Sequence, residues 1–129
     1  MMKTYYTVGL SMLVGAAFGA AAIQGLRAQA KPPVYYIAEL DVKDLDGWQK
    51  DYAPRAQAVI KAAGGKVLAA GQKVTSIEGA PPKPRIALIQ WESAEQVQAW
   101  RNSAAFKELI PIREKLGTAR SFTVEGLAN

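Results

Sequence analysis

Val34-Tyr35-Tyr36-Ile37-Ala38-Glu39-Leu40-Asp41-Val42 opens a phrase that the chain states twice: strand, amphipathic helix, strand. The phrase closes first on Ile77-Glu78-Gly79 and again on Val124-Glu125-Gly126. Side chains alternate across a strand, so Val34, Tyr36, Ala38, Leu40 and Val42 share one fully apolar face, and Tyr35, Ile37, Glu39 and Asp41 share the other. Asp44 is placed to cap a helix, its carboxylate accepting from the free amides of the first turn. Leu45, Trp48, Tyr52, Ala56, Val59, Ile60 and Ala63 then recur at helical spacing up to Gly64-Gly65, where glycine enters the left-handed region cheaply and ends the helix. Pro54 lacks an amide donor and predicts a bend near Asp51, not a break.

The second strand is expected in two pieces, Lys66 to Ala70 and Lys73 to Glu78, joined by a bulge at Gly71-Gln72. The turn Gly79-Ala80-Pro81-Pro82-Lys83 is too short for a crossover, so the strand from Arg85 to Trp91 returns antiparallel. Ser93 and Gln96 form a capping-box pair opening a second helix with Val97 and Trp100 on its inner side. Asn102-Ser103 re-caps it, and Phe106, Leu109, Ile110 and Ile112 to Leu116 continue as a further helical piece stepped by Pro111 and ended by Gly117. Ala119 to Glu125 is the last strand. The order βαββαβ predicts an α+β, ferredoxin-like domain: one four-stranded antiparallel sheet with two helices on a single face. The other sheet face, carrying Tyr35 and Ile37, is too apolar to be left wet in so small a domain, and a second copy of the chain is the expected cover.

Residues 1–30 are read as an export signal and not as part of the fold. Lys3 gives a basic start, Val8 to Ile23 is uncharged, and Ala28-Gln29-Ala30 supplies the small-x-small pattern that signal peptidase accepts. The competing reading is an uncleaved anchor tethering the chain to the inner membrane, which the four glycines and one serine between Thr4 and Gly25 weaken. Cleavage after Ala30 leaves residues 31–129 as one domain in the periplasm or outside the cell, with no stable membrane insertion. Of the 16 basic and 11 acidic side chains, only Lys3 and Arg27 are in the prefix, so the domain itself carries net +3. Those charges are interspersed and the exposed strands lack clustered basic and aromatic residues, so no nucleic-acid partner is expected.

The chain contains no histidine and no cysteine. That excludes thiol nucleophiles, a Ser-His-Asp relay, histidine-ligated haem and the usual zinc sites. Asp41, Asp44 and Asp46 lack the loop glycine and distal glutamate of a calcium motif and are read as capping and solvated residues. The Gly64-Gly65 and Gly71 cluster is no phosphate loop, because a helix ends there instead of beginning. Neither metal nor cofactor is expected.

Tyr36-Ile37-Ala38 with Val42 and Asp44, then Tyr52, Gly64-Gly65, Leu68, Gly71, Glu78-Gly79, Arg85, Trp100, Asn102-Ser103, Arg113 and Glu125-Gly126 together resemble the domain-of-unknown-function family numbered thirteen-thirty. The resemblance spans essentially all of residues 31–129. It implies a ferredoxin-like protomer of the dimeric α+β barrel superfamily that pairs through its sheet, and it implies no activity. Two positions depart from the family pattern: Ala70 and Arg101 stand where many relatives have an arginine and a tyrosine.

The candidate site is a helix/sheet cleft lined by Trp48, Tyr52, Arg85, Trp91, Trp100 and Arg113. Such a set stacks a small planar organic molecule and holds its carboxylate or phenolate by an arginine. Against it stands the plainer expectation that tryptophan and tyrosine at helical spacing over a sheet fill the core. Arg113 has Glu114, Glu78 or a helix carboxyl end as alternative partners. Glu78 and Glu125, the repeat's matching carboxylates, are read as turn-setting residues at opposite sheet edges. Three functions compete on these grounds: a homodimeric small-ligand-binding domain, a cofactor-independent oxygenase or isomerase acting on a phenolic substrate, and a structural dimerisation module.

Overall fold

β1 (Val34–Val42) lies inside the sheet, antiparallel both to β3 (Arg85–Trp91) and to β4 (Gly117–Glu125). Adding β2 (Lys66–Gly71) on the far side of β3 gives the order β2-β3-β1-β4. This computed structural model describes residues 31–128, and Pro33–Leu127 form one unit within them. The export reading of residues 1–30 lies outside the described residues. Among the described residues no helix is long and apolar enough to cross a membrane.

The helices cover one sheet face. The first layer element is α1 (Leu45–Gly47), a π-helical turn (Trp48–Tyr52) and α2 (Ala53–Ala62) in unbroken succession. Asp44 caps it, its Oδ1 accepting from the Gly47 amide at 3.0 Å. Pro54 explains the π turn: its ring crowds the carbonyl one turn back and it has no amide to donate, so the helix widens locally and the Ala53 amide donates to Trp48 O. The expected bend is therefore realised as one extra residue in a turn. Gly64, at φ +96°, ends the helix in the left-handed region.

The second half follows its capping signals. α3 (Ala94–Asn102) begins where Ser93 Oγ accepts from the Gln96 amide at 3.1 Å, while Gln96 Oε1 reaches back to the Glu92 amide at 2.8 Å. α4 (Ala104–Leu116) restarts at Ser103, whose Oγ accepts from the Phe106 amide at 3.2 Å. Pro111 does not divide α4 into two pieces, and the helix runs through it to Leu116. The core between the layers comprises the inner face of β1, Ile89 and Trp91 of β3, and Trp48, Tyr52, Ile60, Val97, Trp100, Phe106, Leu109 and Leu116 of the helices.

One strand differs from expectation. β2 ends at Gly71, its register shift falls between Val67 and Ala69 and not at Gly71-Gln72, and residues 73–78 join no strand among the described residues. The reason lies across the sheet. Gly71 already faces Ile86, and the residues that would extend β3 backwards include Pro81, Pro82 and Pro84, which have no amide for a ladder. A tight turn in which the Val74 amide donates to Gln72 O then carries the chain away, leaving Ile77 94% exposed. Glu78 is thus in a loop, whereas Glu125 ends β4 opposite Val34.

Candidate functional site

Pro54, by forcing the π turn, sets the orientation of the first two site residues. Trp48 and Tyr52 both turn inward, their ring centres 4.3 Å apart and their planes tilted by 40°. Opposite them, the inner face of β1 contributes Tyr36, Ala38 and Leu40, and β3 contributes Arg85 and Ala87. Phe106 and Arg113 of α4 and Trp100 of α3 close the third side. The resulting cleft encloses about 700 Å³ including its open mouth.

Five of the six expected site residues line this cleft: Trp48, Tyr52, Arg85, Trp100 and Arg113. Trp91 does not. It is 1% exposed and packs behind the wall, its ring centre 4.8 Å from that of Trp100 and its edge against Gly65, where a Cβ would come within 2.7 Å of Cη2. Trp91 belongs to the core, because it lies at the end of β3 under the close approach that Gly65 permits.

The aromatic side chains form a connected set. Trp100 meets Tyr36 edge-on at 4.9 Å and Phe106 at 4.8 Å. Two guanidinium groups flank Phe106, that of Arg101 at 4.5 Å from the ring centre and that of Arg113 at 5.9 Å. Arg101 Nη1 also donates to the Tyr36 hydroxyl at 3.4 Å. Tyr36, Arg101 and Phe106 were not among the expected site residues. Tyr36 carried a signal in its inward place on β1, and Arg101 in standing where the family pattern has tyrosine, whereas Phe106 reads as an ordinary core residue.

The electrostatics of the cleft are one-sided. Among the described residues Arg85 and Arg113 are its charged lining residues, and no carboxylate lines it. Arg113 pairs with none of its expected acidic partners; its charge lies beside the Tyr52 hydroxyl. Burial pushes the Tyr52 pKa above its ordinary value, and the neighbouring Arg113 offsets this only in part. Tyr52 is consequently a hydrogen-bond donor at neutral pH. Arg85 Nε and Trp100 Nε1 are buried without a hydrogen-bond partner, so two donors at the cleft wall have no acceptor among the described residues.

Comparison with known proteins gives the fold and the family. A protein of unknown function from Rhodopseudomonas palustris is similar in structure at 15% identity and a TM-score of 0.57, covering 84% of this chain and 94% of that one. The same protein in methylated form matches at 16% identity and a TM-score of 0.60, over 83% and 90% of the two chains. A conserved protein from Methanosarcina mazei Go1 matches at 15% identity and a TM-score of 0.51, over 76% of this chain and 96% of that one. No curated protein matches the chain. The family model for a domain of unknown function, DUF1330, matches residues 33–127, and the chain belongs to that family.

Proposed function

We propose that the chain is an exported, homodimeric ligand-binding domain that takes a small planar organic anion in the helix/sheet cleft. One observation carries this: a cleft with an aromatic and aliphatic lining holds two arginines, and among the described residues no carboxylate lines it. A guanidinium in a cleft of low polarity attracts an anion more strongly than one in water does, and its planar fork suits a carboxylate. Tyr52, kept protonated, adds a neutral donor beside Arg113.

The test is calorimetric titration of the protein purified from the envelope fraction with 2-naphthoate and with the neutral 2-naphthalenemethanol. Naphthoate is expected to bind at least about tenfold more tightly, the size of one charge-assisted hydrogen bond. Equal affinities remove the anion, and absence of binding by both leaves a structural dimerisation module. The cofactor-independent enzyme is a second reading, favoured by the Tyr52 donor and Arg113 cation placed side by side, which suit a developing phenolate. Quinol turnover with oxygen uptake supports it, and its absence dismisses it.

The homodimer rests on the open sheet face. Tyr35, Ile37, Ile86, Leu88, Phe122 and Val124 are brought together there by the strand register, with Phe122 and Val124 about half exposed. The export reading rests on Lys3, the uncharged run and Ala28-Gln29-Ala30. Native mass spectrometry of the envelope protein tests both together: the expected species is a dimer of chains beginning at Lys31.

A further inference from the structure

We infer that the cleft has two anion-binding ends and prefers an elongated aromatic dicarboxylate to a monocarboxylate, an inference that rests on the anion-site reading above. The two arginines enter from different walls. Arg113 comes from α4, and its guanidinium lies beside the Tyr52 hydroxyl and 5.9 Å from the Phe106 ring centre. Phe106 meets Trp100 edge-on, Trp100 meets Tyr36 edge-on, and the Tyr52 hydroxyl beside Arg113 feels the Tyr36 hydroxyl as well, which puts this head at the Tyr36 level of the sheet. Arg85 comes from the first position of β3, opposite Leu40.

Tyr36 faces Ile89 in the same register, four strand positions from Arg85, which separates the two levels by roughly 13 Å of backbone. Two long side chains reaching inward from those levels suit acidic groups held apart by an aromatic core, not a single carboxylate gripped from both sides. The space between them fits a flat body. Ala38 and Ala87 of the sheet and Ala53 and Ala56 of α2 all line the cleft with Trp48, and such small side chains leave room for a ring between the walls. The Arg85 end has its own requirement for a ligand: Nε is buried and has no acceptor among the described residues. Among the described residues the ion pair found is Glu39–Arg120, whose members alternate onto the opposite sheet face, so neither cleft arginine is neutralised by it.

The inference is tested by calorimetry with 2-naphthoate and 2,6-naphthalenedicarboxylate on the wild-type protein, Arg85→Gln and Arg113→Gln. The dicarboxylate is expected to bind wild type at least about tenfold more tightly than the monocarboxylate, one charge-assisted contact's worth. In Arg85→Gln that preference should vanish, and Arg113→Gln should weaken both acids. Equal binding of the two acids by wild type overturns the second anion end and leaves the ligand-binding reading standing; binding of neither overturns both. Should Arg85→Gln fail to fold, Arg85→Lys, which keeps the charge and loses the planar fork, is expected to cut the preference by at least half, and an unchanged preference overturns the assignment of Arg85.

Discussion

Glu39 Oε2 accepts from Arg120 Nε at 3.1 Å, a contact that ties the middle of β1 to β4 across the open face of the sheet. Glu39 is only 7% exposed, and its other oxygen accepts from the Lys83 amide at 3.1 Å. One carboxylate therefore joins an edge strand and the end of the long β2–β3 loop to the central strand. The Arg120 hydrogen bond first, and the Lys83 amide second, hold the Glu39 pKa below its ordinary 4.5.

Because the folded-state pKa is the lower one, this contribution to stability is full above the unfolded value of 4.5 and is lost as pH falls through the folded value. Glu39→Gln is expected to be less stable than wild type at pH 7, and the gap between the two should narrow on acidification below pH 4.5. Thermal melts across that range check it. A constant gap would mean that the packing of Glu39, and not its charge, matters.

Tyr52 gives the opposite sign. Its pKa is raised by burial above the ordinary 10.0, so the protein gains from a protonated hydroxyl and loses that gain as pH rises beyond 10.0 toward the folded value. Wild type is expected to lose stability more steeply than Tyr52→Phe, which has nothing to ionise at position 52, as pH rises above 10.0. Paired alkaline melts of the two proteins read this directly. Both should bind 2-naphthoate at pH 7, the variant about three- to tenfold more weakly for want of one donor.

Gly65 is present for want of space. A Cβ there would lie 2.7 Å from Trp91 Cη2 and 2.8 Å from Ile60 Cγ2, both within the packed core. Gly65→Ala is expected to cost about 1–3 kcal/mol, the usual range for overpacking, measured by urea denaturation. At Gly71 an added Cβ meets nothing within 4 Å, so any cost of Gly71→Ala comes from the backbone angle of φ +159° and not from crowding. Because Trp91 packs behind the cleft wall, Trp91→Phe should likewise lower stability while leaving naphthoate affinity within about twofold.

Period and punctuation carried most of the fold. Alternation marked the two faces of β1, and the signals at Asp44, Gly64, Ser93 and Ser103 each mark a boundary found in the structure, because caps act through bonds a few residues long. Residues 73–78 are rich in β-branched side chains, as a strand is, with Val74, Thr75 and Ile77, yet whether they join a sheet depends on the prolines before Arg85, which face them only once β3 is in place. The cleft was legible to a similar depth. Trp48, Tyr52 and Trp100 announce an inward aromatic set by spacing, but the place of Trp91 depends on a contact with Gly65 from another element. Glu39 was legible as an outward residue and illegible as an ion pair, since Arg120 is 81 residues away.

The open sheet face yields the last prediction. Ile37 sits between Leu88 of β3 and Phe122 of β4, at the middle of the apolar face, and the Glu39–Arg120 pair adjoins it two residues along each strand. If a second copy covers this face, a charge at Ile37 has to be buried without a partner in the dimer, whereas in a free protomer the same side chain stays in water. Ile37→Lys is accordingly expected to convert the dimer to a monomer at micromolar concentration with an unchanged far-ultraviolet circular dichroism spectrum, read by light scattering on a sizing column. Wild type is expected to run as a dimer under the same conditions. A wild-type mass of one chain rejects the sheet-to-sheet dimer outright. A dimer that survives Ile37→Lys moves the interface elsewhere on the protomer, with the unpaired segment 73–78 and its exposed Ile77 the next place to mutate.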